Sequence, residues 1–524
     1  MDRVDAVVIG SGPNGLAAAA YLARKGWSVT VLERDSVAGG AVRSEELTAP
    51  GYVHDTFSAF YGLLRATPVY RELDLDRRVR WAEFDLPVSA VSATKEAGLM
   101  HAEAGETAAA LAEIEAADGA AWMELCEWWG RSGRRFLDAL ITPVMSVRPK
   151  LRFLRAAGIP GAFTAAKMSV ESLESLALRR FTSDPARALF ASAITHSDLS
   201  VSEAGSSPFA IVLAMIAQGA GMPVPVGGAG ELARAMVSAV EDAGGTVECG
   251  REVTRVIVER GRAVGVETAG GESLGARRAV IADTGPLALF RDLAGENEVP
   301  ASYLDGLRRF RYGSGVFKVD LALSGALPWS VEELSACGVV HLTGDLNTMS
   351  RSAFDIERGY LPQVPLVIVG QQSVADPTRA PAGCHTLWVE CHVPSLPRGD
   401  ASGEIEAEDW EGARRPFLER VLDRIEEHAP GLRERIVGTS VLAPPDLERA
   451  NPNLVGGDVG GGSSAIDQQL IFRPVPGWFR HRTPIKGLYL CSASTHPGGG
   501  VHGMCGRNCA RRVLGDSRFG SKAG

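Results

Sequence analysis

The 524-residue sequence lacks the marks of several protein classes. Its eight cysteines form no C-x-x-C pair, which excludes a redox disulfide or a zinc site of the usual spacing, so we expect neither a disulfide nor a metal centre. Its longest strongly apolar run, residues 208–217, is too short to cross a bilayer. The net charge of −9 supplies no cationic surface for nucleic acid, and we expect no such partner.

A signal peptide is also missing from the start of the sequence, where an apolar strand begins without a preceding charged region. We therefore expect a cytoplasmic protein. We find no basic amphipathic helix, so peripheral contact with a membrane is expected only on the ground of an oily substrate. Hydrophobic residues at 45% and charged residues at 22% are typical of a globular chain, and the length predicts two domains or more. No pattern indicates an oligomeric state.

The strongest motif that is present lies within the first fifteen residues. An apolar run, residues 6–9, leads into a glycine-rich turn and an alanine-rich stretch, which predicts a strand, a turn and a helix. The spacing fits G-x-G-x-x-G, whose glycines make the tight turn, admit the pyrophosphate of a dinucleotide and let helix and strand pack closely. The pyrophosphate is expected at the N-terminus of the helix. The residues assigned to this contact are Gly10, Gly12, Pro13, Asn14 and Gly15.

An acidic residue follows at the distance that such a motif needs. The second predicted strand, residues 27–32, ends at Glu33, eighteen residues after Gly15. A carboxylate at this point can accept hydrogen bonds from the ribose hydroxyls of the adenosine, and it would repel a 2′-phosphate. Arg34 follows directly and is assigned to the same site.

A paired-glycine loop comes next, with Gly39 and Gly40 shortly before Arg43. Backbone without Cβ can approach a ligand closely, and the guanidinium of Arg43 offers donors to phosphate or isoalloxazine oxygens, although a simple loop is the alternative. A dinucleotide motif followed by such a loop resembles the FAD-binding proteins of the glutathione-reductase-like class. Within that class, residues 51–61 resemble the phytoene-desaturase-like oxidoreductases. The resemblance implies that the cofactor is FAD.

A second glycine-rich turn lies near the C-terminus. A predicted strand, residues 487–491, leads into the sequence Thr-His-Pro-Gly-Gly-Gly-Val, residues 495–501. We predict a helix from near Val501, whose free N–H groups would point at the pyrimidine side of a flavin, where negative charge collects on reduction. The alternative is a simple helix cap. The residues assigned to the cofactor here are Ser494, Gly499, Gly500 and Val501.

This turn and the segment 466–477 resemble the carotenoid desaturase and isomerase superfamily. The resemblance covers nearly the whole chain and is greatest to the branch that contains pyridine nucleotide-disulfide oxidoreductase domain-containing protein 2. The resemblance implies an α/β fold, in which a Rossmann-type, glutathione-reductase-like FAD-binding domain is interleaved with a mixed-sheet substrate domain and a helical insertion. It also implies that the backbone of Val253 contacts the adenine and that the strand tip at Asp283 passes near the cofactor.

One departure concerns the ribityl chain, since proteins of this class often bind it with a Gly-Asp pair where this sequence has Ser492 and Ala493. We expect the backbone or Ser494 to take over that contact. Residues 103–218 show no strand-like alternation and predict the helical insertion, whose aromatic residues form a core or cap a lipophilic cavity. We assign residues 1–95, 222–290 and 460–524 to the FAD-binding domain, and residues 96–221 and 291–459 to the substrate domain with its helical cap.

The implied reaction is hydride transfer between FAD and a lipophilic, isoprenoid-like or polyene substrate. Desaturation is the first expectation, and the direction stays open because the family also contains saturases and isomerases. The candidates for a proton acceptor are His496 and His502, with His196 and Glu390 as more distant alternatives. A histidine in such a turn is more often a structural group, and hydride transfer directed by positioning alone is a further alternative.

Two other functions fit the same sequence. An amine-oxidase-like flavoenzyme shares the order of segments, although the C-terminal glycine turn argues against it. The second is a flavin-binding protein that acts through a partner and catalyses no reaction. The electron acceptor is oxygen, a quinone or NAD(P), and the last is weakly supported because no second dinucleotide motif is found.

Overall fold

The computed structural model describes residues 2–520, and two seven-stranded sheets organise them. In the first sheet, the strand Asp2–Ile9 runs parallel to Val29–Leu32 on one side and to Ser273–Ala282 on the other. Side chains on both faces of Asp2–Ile9 are buried in separate apolar clusters, as in a parallel strand with both faces covered. The other strands of this sheet are Thr246–Glu248, Val253–Glu259, Arg262–Thr268 and Leu488–Leu490.

Helices from both ends of the chain meet on this sheet. The helix Pro13–Ala23 packs against Ala229–Glu241 and against the C-terminal helix Met504–Gly520. Their backbones come unusually close, since a Cβ on Gly506 would lie 1.9 Å from the carbonyl oxygen of Asn14. The first helix can approach its neighbours in this way because alanine fills its buried face.

The second sheet is mixed, with one parallel pair between Leu86–Val91 and Cys337–Leu342. On its inner strand His385–Val393, Leu387, Val389 and Cys391 lie in one apolar core with residues of the helix Trp410–Glu426. The alternate residues lie on the opposite face, where Nε1 of Trp388 donates to the carbonyl oxygen of Phe57 at 2.8 Å. The remaining strands are Ala97–Met100, Gly315–Leu323, Val367–Gly370 and Ile436–Leu442.

These two sheets, with helices on their faces, confirm the expected α/β fold and its mixed second sheet. The strand Leu86–Val91, which the division at residue 95 assigns to the FAD-binding part, pairs with Cys337–Leu342 in the second sheet. The domain division stays a prediction.

Helices fill the expected insertion between the two halves of the first sheet. They are Ala104–Ile114, Ala116–Trp128, Arg134–Ile141, Val147–Met168, Leu173–Arg180, Asp184–Ala191 and Ser206–Ala220. Shorter or peripheral helices are Gly62–Arg65, Pro68–Glu72, Leu75–Arg78, Ala301–Arg308, Leu346–Glu357, Gln372–Ala375, Leu432–Arg435 and Pro444–Ala450. Among residues 2–520, none of these helices combines the length and the apolar character that crossing a membrane demands. All eight cysteines are free thiols.

Candidate functional site

The glycine turn after the first strand has no room for side chains. A Cβ on Gly15 would lie 2.3 Å from the carbonyl oxygen of Gly10, and a Cβ on Gly12 would lie 2.6 Å from Oδ2 of Asp283. Gly10 also has a φ of +90°, which disfavours any other residue. The helix Pro13–Ala23 begins directly at this turn. Bare backbone at the N-terminus of a helix is the arrangement that accommodates a pyrophosphate.

Glu33 is fixed beside this turn. Its Oε2 accepts hydrogen bonds from the backbone N–H and the hydroxyl of Ser11 at 2.8 and 2.7 Å, and its Oε1 accepts from the N–H of Asp35 at 3.0 Å. Arg34 lies on the surface and pairs with Asp35 at 3.2 Å. The carboxylate is therefore held where the ribose is expected, whereas the guanidinium of Arg34 is engaged with its neighbour.

Asp283 lies against the glycine turn and accepts a hydrogen bond from it. It follows the strand Ser273–Ala282, and its Oδ2 accepts the backbone N–H of Gly15 at 2.7 Å. Burial raises the pKa of Asp283 to about 7, against the opposing effect of the Gly15 N–H and with a smaller contribution from the charge of Glu33. The strand tip therefore lies against the glycine turn, and its proximity to the cofactor stays a prediction.

The paired-glycine loop packs directly onto the turn. A Cβ on Gly40 would lie 3.1 Å from the Cα of Gly12, and Gly39, with a φ of +130°, donates its N–H to the hydroxyl of Ser11 at 3.2 Å. Arg43 lies over the ring of Phe57 and within 3.2 Å of Glu45. The loop and the turn thus form one surface of nearly bare backbone.

Val253 lies near the carboxylate end of that surface. It begins the strand Val253–Glu259 and is buried, and the N–H of Arg251 donates to the carbonyl oxygen of Glu33 at 2.7 Å. This bond ties the start of the strand to the second strand of the sheet. Val253 thus follows two residues after a backbone hydrogen bond to Glu33, and its contact with the adenine stays a prediction.

The C-terminal turn differs from the expectation in one respect. The helix begins at Met504 and not near Val501, because Nδ1 of His502 accepts the N–H of Met504 at 2.9 Å and Gly503 has a φ of +65°. The preceding residues form a loop in which Gly499 and Gly500 are exposed. Their backbone, and not a helix N-terminus, is the part of this segment that can face a ligand.

Two contacts place this loop. A Cβ on Gly499 would lie 2.5 Å from the carbonyl oxygen of Gly460, and one on Gly500 would lie 2.8 Å from the side chain of Leu63. Ser494 is buried and shares a 2.6 Å hydrogen bond with the hydroxyl of Ser492. The hydroxyl pair occupies the position at which the ribityl contact is expected.

Arg473 holds the same loop from inside the protein. Its guanidinium is fully buried and donates to the carbonyl oxygens of Gly461 at 2.9 Å, Ser463 at 2.9 Å and Ala493 at 2.9 Å. Burial lowers the pKa of Arg473, while the charge of Asp458 opposes the shift. The sequence placed this arginine in a family motif but gave it no role; the structure makes it the support of the turn.

The two histidine candidates are engaged with the backbone. His502 accepts at Nδ1, as above, and its Nε2 donates to the carbonyl oxygen of Gly498 at 3.2 Å. Nε2 of His496 donates to the carbonyl oxygen of Thr142 at 2.8 Å. Burial lowers the pKa of both to about 4. Both ring nitrogens of His502 are thereby occupied, which favours the structural role weighed above over a role as base.

A cluster of ionisable groups lies on the inner face of the second sheet. Nζ of Lys318 donates to both carboxylate oxygens of Asp320 at 2.6 Å, and Glu390 stands opposite Lys318 on the next strand. Burial raises the pKa of Asp320 to about 6 and that of Glu390 to about 7, and the Lys318 charge opposes both shifts. The spacing of Lys318 and Asp320, on one face of a buried strand, is a signal that sequence reasoning missed.

Three histidines extend this face. Nε2 of His196 lies 3.0 Å from Nε2 of His341, whose Nδ1 donates to the carbonyl oxygen of Ser89 at 3.2 Å, so Nε2 of His341 is the acceptor. Burial lowers the pKa of His196 to about 3 and that of His341 to about 4. His196, Glu390 and His392 nevertheless keep accessible surface. These three groups therefore keep some accessible surface although their surroundings disfavour the charged forms.

A buried ion cluster joins the two parts of the molecule. Arg379 pairs with Asp55 at 2.7 Å and with Asp376 at 3.0 Å, and all three are buried. The carboxylates also accept the backbone N–H groups of Ala229 and Gly227, both at 2.7 Å. The glycine turn before the helix Ala229–Glu241 is thereby fixed, a role that the sequence did not reveal.

Known proteins are similar to this chain in sequence and in fold. A family described as flavin containing amine oxidoreductase matches residues 14–380. The chain is 28% identical to pyridine nucleotide-disulfide oxidoreductase domain-containing protein 2 of Rattus norvegicus, over 98% of this chain and 93% of the relative. It is 26% identical to a phytoene desaturase (neurosporene-forming) of Cereibacter sphaeroides, over 96% and 93%. An oxidoreductase from Methanosarcina mazei shares the fold, with a TM-score of 0.61, 17% identity and coverage of 97% and 99%.

Proposed function

We propose that this chain, which belongs to the flavin containing amine oxidoreductase family, transfers hydride between FAD and a lipophilic, isoprenoid-like polyene. The protein is an FAD-dependent oxidoreductase, related to phytoene desaturases, and these relationships confirm the resemblance seen in the sequence. The substrate class, the direction of the reaction and the residues that act are the proposal.

The observation that carries the substrate class is the uncharged character of the histidine end of this face, beyond the ion pair of Lys318 and Asp320. His196 and His341 are neutral at physiological pH because burial depresses their pKa values to about 3 and 4. Half-buried apolar side chains, among them Leu63 and Phe209, lie on the elements that adjoin them. Neutral and apolar groups at the histidine end favour a neutral, lipophilic ligand there, since a charged ligand would lose its hydration without compensation.

The cofactor would lie along the bare backbone described above. The glycine turn would hold the pyrophosphate, Glu33 the ribose, and the loop around Gly499 the flavin end. Bound FAD supplies a two-electron acceptor for hydride. These segments fit such a group, because Cβ atoms on Gly12, Gly15 and Gly40 would crowd Asp283, Gly10 and Gly12, so the turn and the loop present bare backbone to the cofactor.

Glu390 is the proton acceptor that we assign. Desaturation removes a hydride, which bound FAD would accept, from one carbon and a proton from its neighbour, whose C–H bonding electrons then form the new double bond. A carboxylate with a pKa of about 7 can take up that proton at neutral pH, because its pKa matches the operating pH. Lys318, opposite Glu390, would hold its charged form in place.

The test is anaerobic titration of the purified holoenzyme with polyenes, followed by the absorbance of the oxidised flavin. Bleaching by polyenes supports the proposal, and reoxidation by oxygen, a quinone or NAD(P)+ identifies the acceptor. Bleaching by amines alone, with peroxide in air, would establish an amine oxidase instead. The variant Glu390→Gln should bleach at least tenfold more slowly while binding FAD normally, as removal of a general base predicts.

A further inference from the structure

The helix Val147–Met168 leaves most of its surface exposed. Only Phe153, Ala165 and Met168 are buried, and the helix kinks at Gly158, which has a φ of +64° ahead of Pro160. Two helical segments therefore lie on the outside of the helical cap. Packing in the protein core does not explain these two exposed segments.

An apolar stripe follows the outer side of both segments. Val147, Leu151 and Leu154 are 64%, 45% and 46% exposed, and their spacing places them on one side of a helix. Beyond the kink, Ile159 and Phe163, one turn apart, are 76% and 73% exposed. Exposed apolar residues aligned in this way mark a surface that is covered in use.

The helix is strongly cationic in a chain whose net charge is −9. It contains no Asp or Glu. At 100° per residue, Arg148 and Arg155 lie on one side of the apolar stripe and Lys150 on the other. The five cations of the helix are Arg148, Lys150, Arg152, Arg155 and Lys167. The sequence analysis found no basic amphipathic helix because Pro149, Gly158 and Pro160 interrupt the pattern, and the helix itself is broken at Gly158.

We infer that the helix Val147–Met168 docks the protein on an anionic lipid surface. Apolar side chains flanked by Lys and Arg enter the boundary between headgroups and acyl chains, while the cations pair with anionic headgroups. Charge complementarity selects this partner, because a neutral apolar surface would leave the five cations unpaired. We name the exposed side of Val147–Met168 the basic apolar face.

The basic apolar face adjoins the candidate flavin site. Thr142, five residues before the helix, accepts the hydrogen bond from His496, and a cleft of about 270 Å³ lies between residues 143–146 and His496. At the other end of the helix, Gly205 packs against Ser169 and Ile466, since a Cβ on Gly205 would lie 3.6 Å from the carbonyl oxygen of Ser169 and 3.5 Å from Ile466. Ile466 is half exposed. If the proposed function holds, a lipophilic substrate would pass from the bilayer into the protein here.

Flotation of the holoenzyme with lipid vesicles tests the docking. Vesicles of phosphatidylcholine with phosphatidylglycerol should carry the protein, and vesicles of phosphatidylcholine alone should carry much less. Arg148→Gln with Arg155→Gln should weaken binding roughly 25-fold, at about fivefold for each cation. Ile159→Ser with Phe163→Ser should weaken binding at least about tenfold, through the loss of apolar burial. Added salt should release the wild type, because it screens the charges.

The matched control is Phe354→Ser with Val437→Ser, which removes two apolar side chains of 56% and 57% exposure elsewhere. It should bind vesicles as the wild type does. Flavin content and thermal midpoint, equal in all variants, show that each is folded. Failure of the wild type to bind anionic vesicles, or binding by both helix variants at the wild-type level, overturns the inference. No substrate enters this measurement, so its failure would leave the flavin titration, and the proposed function, untouched.

Discussion

The backbone N–H of Gly15 donates to the Asp283 carboxylate at 2.7 Å, although 268 residues separate them in the sequence. The bond places a buried carboxylate at the positive end of the helix Pro13–Ala23. Burial outweighs that favourable interaction, since the pKa of Asp283 is raised to about 7. The folded protein therefore binds a proton at Asp283 that the unfolded chain, with an ordinary carboxyl pKa, releases near pH 4.

This linkage predicts how Asp283→Asn changes stability with pH. Because the folded pKa is the higher one, the wild type loses stability as the pH rises from about 4 through about 7. The variant keeps an acceptor for the Gly15 N–H and has no such loss. At pH 8 it should be more stable than the wild type, by an amount on the order of 4 kcal/mol, and the gain should shrink toward pH 5. Urea unfolding at several pH values measures it. The exposed-site variant Asp305→Asn should show no comparable gain, and a pH-independent difference for Asp283→Asn would refute the assignment.

The glycine turn gives a second prediction, for Gly15→Ala. A Cβ there would lie 2.3 Å from the carbonyl oxygen of Gly10, so the helix must shift away from the strand. We expect loss of bound FAD and a destabilisation of more than about 2 kcal/mol, as for overpacking against backbone. Gly105→Ala is the control, since a Cβ there has nothing within 4 Å. Measured flavin content should fall only in Gly15→Ala; equal flavin in both variants contradicts the role of the turn.

The first strand, the glycine turn and Glu33 could be predicted because their geometry is local: a few consecutive residues fix the turn, and the carboxylate follows at a set distance. The cluster of Arg379 with Asp55 could not, since 324 residues separate the partners and only the fold brings them together. The start of the last helix was misplaced for a different reason. His502 caps Met504 with its ring, and nothing in the composition of the glycine run announces that bond.

Lys318 and Asp320 were within reach of sequence reasoning. They stand two residues apart in a nine-residue strand whose seven other residues are apolar or glycine. Because side chains alternate along a strand, both must point to one face. A lysine and an aspartate buried on one face must be paired, because neither charge is tolerated alone. What the sequence could not supply is the neighbour, Glu390, which depends on the register between two strands 70 residues apart.

That pairing predicts the effect of Lys318→Met. The substitution leaves the buried Asp320 and the half-buried Glu390 without their cation, and we expect a loss of about 3–5 kcal/mol in the free energy of unfolding. The double variant Lys318→Met with Asp320→Leu should recover much of that loss, since no unpaired aspartate remains. Lys25→Met, at an exposed position, serves as the control. Chemical unfolding of the wild type, the single variants Lys318→Met and Asp320→Leu and the double variant completes the cycle, and additive losses in the double variant would show that the two residues are not coupled.

Arg473→Lys tests the support of the C-terminal turn. Three carbonyl oxygens, of Gly461, Ser463 and Ala493, each accept from the buried guanidinium at 2.9 Å. A lysine keeps the charge but has a single nitrogen, which cannot reach carbonyls on both sides of the loop at once. With charged hydrogen bonds worth about 1.5–3 kcal/mol each, we expect a loss of at least about 3 kcal/mol.

The same variant should bind FAD more weakly, because Ala493 directly precedes the Ser494 to Gly500 segment that we assign to the flavin. Thermal unfolding with and without added FAD separates the two effects: the midpoint of the apoprotein reports stability, and its rise on adding FAD reports binding. The control is Arg480→Lys, in which the exposed guanidinium lies over the ring of Phe479. If Arg473→Lys retained the wild-type midpoint and the wild-type rise with FAD, the turn would not depend on the guanidinium, and the flavin end of the proposed site would have to be sought elsewhere in the chain.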